Sequence, residues 1–204
     1  MRLRIAEKLK GGAFDGITAV AELKQSSAYA LLLEAYAKLQ TEQLYVSDYH
    51  GSDHIERVML LGAIIAQQQG FAPRETELLL IACSYHDIGR VDDSRDDRHG
   101  RRSADRLASL HGLGLDAEEL RIVQAAVATH SVKDRMLDSF AEEYGVPEER
   151  MALCRRVCKA LKDADNLDRV RIHDLDTSFL RYPGSKQLAQ TAEAIYRLGG
   201  RRRR

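Results

Sequence analysis

The chain has 204 residues, with 31 Lys and Arg against 31 Asp and Glu, and only three cysteines. That length supports one sizeable domain with its own hydrophobic core and no need of a disulfide. The even charge balance excludes the global basic field that marks a dedicated nucleic-acid binder, and no stretch approaches the roughly 20 apolar residues of a membrane helix. The start, Met1-Arg2-Leu3-Arg4-Ile5, is followed by no apolar core and is broken by Gly11-Gly12, so a cytoplasmic protein is expected.

Residues 1–44 read as a helical extension without recognisable chemistry. A short basic helix precedes one long helix with apolar positions at Tyr29, Leu32, Leu33, Tyr36 and Leu39. Asp53 with Glu56 three later looks like a capping box, which would put His54 in the first turn of the next helix. Arg57, one turn on, is either a solvated charge or an anion contact, and His50 reads as a loop or pocket residue. Pro73 suits the first turn of a further helix, with Gly89 closing it just past His86-Asp87.

The polar run Val91 to Arg98 is a candidate substrate rim. His99-Gly100 then opens a helix expected to run to Gly112, placing His99 where orphan N–H groups favour an anion. Asp116 and Glu119 form a capping signature for the helix ending at His130. Ser131 to Tyr144 is mixed and exposed in character, and Lys133 and Arg135 read as surface charges. Pro147 opens a helix through Cys154, Cys158 and Leu161 into Asp163-Ala164-Asp165-Asn166-Leu167-Asp168. All three cysteines, Cys83 included, lie in apolar helical runs and read as small core residues. A helix near Ser185 to Leu198 and a tail of four arginines end the chain. The expected organisation is a single domain: the extension 1–44, a core of 45–180, and a C-terminal helix with basic tail, 181–204.

Helical phase singles out a set of residues. His54 shares a face with Val58, Leu61 and Ile65; His86 with Leu79 and Ala82; His130 with Val123, Ala126 and Val127; Asp165 with Cys154, Cys158 and Leu161. Each step is three or four residues, one side of an α-helix. A lone histidine on an apolar face is usually a hydrogen-bonded core residue. Four helices that each end in an inward imidazole or carboxylate, with Asp87 beside His86, point instead to a divalent metal, because burying such groups unsatisfied is costly.

These residues resemble a known pattern. His54 in His-Ile-Glu-Arg-Val, His86-Asp87 in His-Asp-Ile-Gly, His99-Gly100, His130-Ser131 and Asp165 in Asp-Ala-Asp-Asn-Leu-Asp look like the ordered motifs of the HD superfamily of metal-dependent phosphohydrolases, over residues 45–175. The resemblance implies an all-α fold in which His54, His86, Asp87 and Asp165 ligate one divalent ion: Mn, Mg, Fe, Co, Ni or Zn. His99 and His130 stand where members with two metals hold the second.

The activity so implied is hydrolysis of a phosphate ester or anhydride by metal-activated water. Asp87, His99 and His130 are then the catalytic candidates, and Arg90, Lys162 and Arg169 the phosphate contacts. The aspartate-rich segment is similar to that of small bacterial HD proteins acting on nucleotides, so a small phosphorylated partner, a nucleotide, is expected. The alternatives are a phosphodiesterase or nuclease on a cyclic nucleotide or nucleic acid, which the neutral charge disfavours for long polymers, and a nucleotide sensor without catalysis.

Overall fold

The computed structural model describes residues 3–200, which form eleven α-helices joined by loops and short 3₁₀ turns, with no strand among them. In chain order these are α1 (Arg4–Lys10), α2 (Thr18–Lys24), α3 (Ser27–Lys38), α4 (Ser52–Gln68), α5 (Pro73–Tyr85), α6 (His99–Leu107), α7 (Ala117–Thr129), α8 (Leu137–Glu143), α9 (Met151–Leu167), α10 (Pro183–Gln187) and α11 (Ala189–Gly199). The four terminal arginines lie outside the described residues. None of the described helices is long and apolar enough to cross a membrane.

The architecture is built on α4. From His54 to Ala66 all of its residues are buried, which requires neighbours on every side. Helices α5 and α9 pack on it and on each other, α7 packs on α9 and α5, and α6 covers α7. Gly62 permits the close crossing of α4 and α5, because a Cβ there would stand 2.8 Å from Cys83 Sγ. One continuous core runs from Ile5 to Ile195, so α1 and α11 belong to the same apolar interior as the central helices.

Three local expectations change. The N-terminal stretch holds α2 as an additional helix, because Ser26 is extended (φ −106°, ψ 161°) and its Oγ donates to Leu23 O, separating α2 from α3. The Asp53–Glu56 pair does not cap α4, whose N-cap is Gly51. Glu56 instead accepts the N–H of Ala6 (2.9 Å) and Arg4 (3.2 Å), capping α1 across 50 residues, while Asp53 pairs with Arg4. Helix α6 stops at Leu107, where the N–H groups of Ser109 and Leu110 bond three residues back and close a turn.

Gly89 also plays a different part from a left-handed cap. A Cβ there would lie 2.3 Å from Ser103 N, so glycine lets the His86–Gly89 turn lie directly against α6. Gly100 does the same between α6 and α7, where a Cβ would meet Ala128 O at 2.8 Å. These two contacts bring the His-Asp turn, the start of α6 and the end of α7 to one place.

Candidate metal centre

Four helices converge with one histidine each at an end: His54 in the first turn of α4, His86 just after α5, His99 opening α6 and His130 closing α7. All four are buried. In each ring Nδ1 is already committed to an oxygen. His86 Nδ1 lies 2.9 Å from Cys83 O, His130 Nδ1 2.6 Å from Val127 O, and His99 Nδ1 against Asp96 O. These are the carbonyls three residues back, two of them among the orphan acceptors of a helix's last turn. His54 Nδ1 lies 2.7 Å from Asp168 Oδ2.

Carbonyl and carboxylate oxygens can only accept, so every Nδ1 carries a hydrogen, and in the neutral form of each ring Nε2 is a lone pair. The Nε2 atoms nevertheless face one another in pairs, His54 to His86 at 3.1 Å and His99 to His130 at 2.8 Å. With no proton between them these contacts are repulsive, and the remaining neighbours are carboxylates.

Asp87 sits between the pairs and turns one oxygen to each. Oδ2 is 3.5 Å from His54 Nε2 and 3.7 Å from His86 Nε2; Oδ1 is 3.2 Å from His99 Nε2 and 3.7 Å from His130 Nε2. Asp165, from the last turn of α9, brings Oδ1 to 3.4 Å from His54 Nε2 and 3.7 Å from His86 Nε2. Its side chain is 28% exposed while those of the other five are at most 7%, so the cluster opens to solvent on the Asp165 side. A buried set of acceptors with no donor of its own has the chemistry of a divalent-cation site. Three overlapping groups of these six residues, His54 with His86 and Asp87, His86 with His130 and Asp165, and Asp87 with His99 and His130, have donor atoms close enough to share an ion.

Electrostatics agree with metal-ready protonation states. Burial drives the His86 pKa down to about 3, outweighing the pull of Asp87 and Asp165, so the ring is neutral. Burial would raise both aspartates, but a proton on His86 or on the other rings beside them would outweigh it, so Asp165 is held down to about 2 and Asp87 well below the ordinary carboxylate range, and both are carboxylates.

The cluster rests on a support that helical phase did not reveal. Asp168, three residues after Asp165, takes Arg57 Nε at 2.5 Å and Arg57 Nη2 at 3.0 Å as well as His54 Nδ1. Arg57 is therefore not a solvated surface charge, since Nε and Nη2 are both engaged by Asp168. The available signal was spacing: His54 with Arg57 and Asp165 with Asp168 are each three apart, so the two helix ends match face to face.

Of the three cations read as phosphate contacts, Arg90 reaches the cluster, its Nε donating to Asp87 Oδ1 at 2.9 Å. Lys162 is buried and donates to Thr129 O (3.1 Å), Val132 O (2.6 Å) and Asp134 (2.7 Å), tying α9 to the end of α7. Arg169 pairs with Asp174 at the surface. His111 stays away in an exposed loop, its carbonyl accepting from Gln40. A cavity of about 570 Å³ opens beside His54, walled by Tyr45, Tyr49, Arg57, Arg171 and Tyr196 among others.

A family model for the HD domain matches residues 51–170, more than half of the chain. The chain belongs to the HD domain family. The matched segment runs from the N-cap of α4 to the 3₁₀ turn after α9, and so contains all six cluster residues of this HD domain as well as Arg57 and Asp168. No curated protein and no solved structure matches the chain.

Proposed function

We propose that this HD protein is a metal-dependent phosphohydrolase that cleaves a phosphate ester or anhydride of a small molecule, a nucleotide in the first instance. The observation that carries this is Asp87, whose two oxygens each face a pair of histidine Nε2 atoms. A divalent ion held by His54, His86, Asp87 and Asp165 would supply a water of lowered pKa and neutralise charge on the phosphoryl group, and His99 and His130 suit a second ion.

The chain's own groups divide the remaining work. The Nδ1 anchors keep four rings aimed inward before substrate arrives, so little reorganisation is needed. Arg90 is the cation nearest the cluster and suits a phosphate oxygen while restraining Asp87. Burial excludes bulk water on all sides but that of Asp165, and the cavity beside His54 falls within the size range of small-molecule sites. Residues 45–180 carry this chemistry, and the flanking helices complete the core around it.

The test is phosphate release from nucleotides, cyclic nucleotides and short oligonucleotides, using chelator-stripped protein with Mn, Mg, Co or Ni restored. Metal-dependent release from a mononucleotide, abolished in Asp87→Ala with the melting profile retained, is expected. Activity confined to oligonucleotides and lost steeply with salt would assign a nuclease instead. Silence with every metal, together with tight nucleotide binding, would assign a sensor.

A further inference from the structure

One more histidine approaches the cluster. His50 lies on the segment leading into α4, and its ring stands edge-on to that of His54 with centroids 5.8 Å apart. It is held from across the rim: His50 Nδ1 lies 2.9 Å from Asp93 Oδ1, the same oxygen to which Ser47 Oγ donates at 2.6 Å. Ser47 Oγ also accepts the N–H groups of Tyr49 (2.9 Å) and His50 itself (3.1 Å). The segments before α4 and before α6 are thus laced together at His50.

This lacing decides which ring edge is available. The Asp93 carboxylate can only accept, so Nδ1 carries the hydrogen and Nε2 is left as an acceptor. None of the described residues supplies a donor to that nitrogen. The side chain is only 14% exposed, yet that nitrogen is not one of the fully buried side-chain atoms left without a partner, so solvent reaches it and a substrate group there would take the place of water. An ionised phosphate has no hydrogen to give it. What fits is an O–H on the part of the substrate that is not phosphate.

We propose that His50 is a substrate-contacting residue that selects molecules carrying a hydroxyl beside the phosphate group, with its Nε2 accepting that O–H. The position of the phosphate over the cluster rests on the phosphohydrolase reading. Asp93 and Ser47 act as positioning residues that hold the tautomer and the ring.

The experiment compares adenosine and guanosine 5′-monophosphates with their 2′,3′-dideoxy counterparts on the full-length, metal-loaded protein, by calorimetric binding and by phosphate release. Wild type should favour the hydroxyl-bearing member of each pair by about fivefold, the scale of one net hydrogen bond. His50→Ala should remove that preference by weakening only the hydroxyl-bearing members, with metal content and melting temperature unchanged. His50→Gln, which keeps an acceptor, should restore part of it, and Asp93→Ala, which frees the ring, should reduce it.

Equal binding of both members by wild type, binding of neither, an equal loss on both in His50→Ala, or loss of metal from that variant would each overturn the proposal. Discrimination that depends on His50 but comes without phosphate release would keep His50 as the selecting residue and remove the hydrolase. Release without discrimination would do the reverse.

Discussion

The two halves of the cluster are built alike at their rings and differently behind them. His99 and His130 are held at Nδ1 by backbone carbonyls near their own helix ends, so their orientation is a local property of α6 and α7. His54 is held by a side chain 114 residues away, and that carboxylate is itself clamped by Arg57. The first half has Asp165 Oδ1 at 3.4 and 3.7 Å from its two Nε2 atoms in addition to its share of Asp87, whereas in the second only His130 comes close enough to share an ion with Asp165. A half with the nearer second carboxylate and a charged support should bind a cation more tightly than one with backbone support. The difference teaches that rings aimed alike can be backed unequally, one by an ion pair that spans the chain and the others by carbonyls beside their own helix ends.

The largest expected effect comes from breaking the charged support. Asp168→Ala leaves Arg57 buried without its counter-charge, and should cost about 3–5 kcal/mol in denaturant unfolding. The same change should weaken metal binding by about 10–100-fold, through loss of the His54 anchor. A variant with wild-type stability and affinity would show that the two halves are supported equally.

Separating the halves is the next test. His130→Ala should spare the first half and leave one tightly held ion per chain in elemental analysis, whereas His54→Ala should lose that tight ion. If each variant loses all metal, the halves are a single unit and the contrast fails. No such asymmetry is expected for Asp87→Ala, which strips an oxygen from both.

The smallest effect is a pH dependence of the metal-free protein. His86 at about 3 and His50 at about 4 lie below the ordinary histidine value of 6.5, mainly through burial, so the unfolded chain takes up their protons first and stability falls as pH drops below 6.5. Glu56 runs the other way: burial raises it from 4.5 to about 7, against the N–H groups it accepts, so its contribution grows as pH falls through that window. Below 4.5 the Glu56 offset stops growing, and Asp165, held at about 2, adds its own loss. Urea midpoints should therefore decline gently from 6.5 to 4.5 and steeply below, at up to about 1.4 kcal/mol per pH unit for each group. Glu56→Gln should move the steep part up toward 6.5; an unchanged profile would exclude Glu56 as the opposing group.

Much of this was legible without a structure, because helical phase is a local property. The three- and four-residue steps that placed His54, His86, His130 and Asp165 on apolar faces depend only on each helix's own residues, and so does the Asp116–Glu119 capping box, which forms as read, with Glu119 N donating to Asp116 Oδ1 at 2.9 Å. The all-α class followed from the resemblance that those residues carry to the HD pattern. What periodicity cannot carry is the identity of a partner on another element. Glu56 had the spacing of a cap for its own helix and caps α1 instead. Lys162 and Arg169 had the charge of phosphate contacts, but the packing of α9 sends one to the end of α7 and the other to Asp174. Asp168 behind His54, Asp93 beside His50 and the division of Asp87 between two pairs of rings all arise where segments distant in sequence meet. The sequence by itself determined which face of each helix turns inward; only the tertiary structure decided which atoms meet there, because those distances depend on how the helices cross.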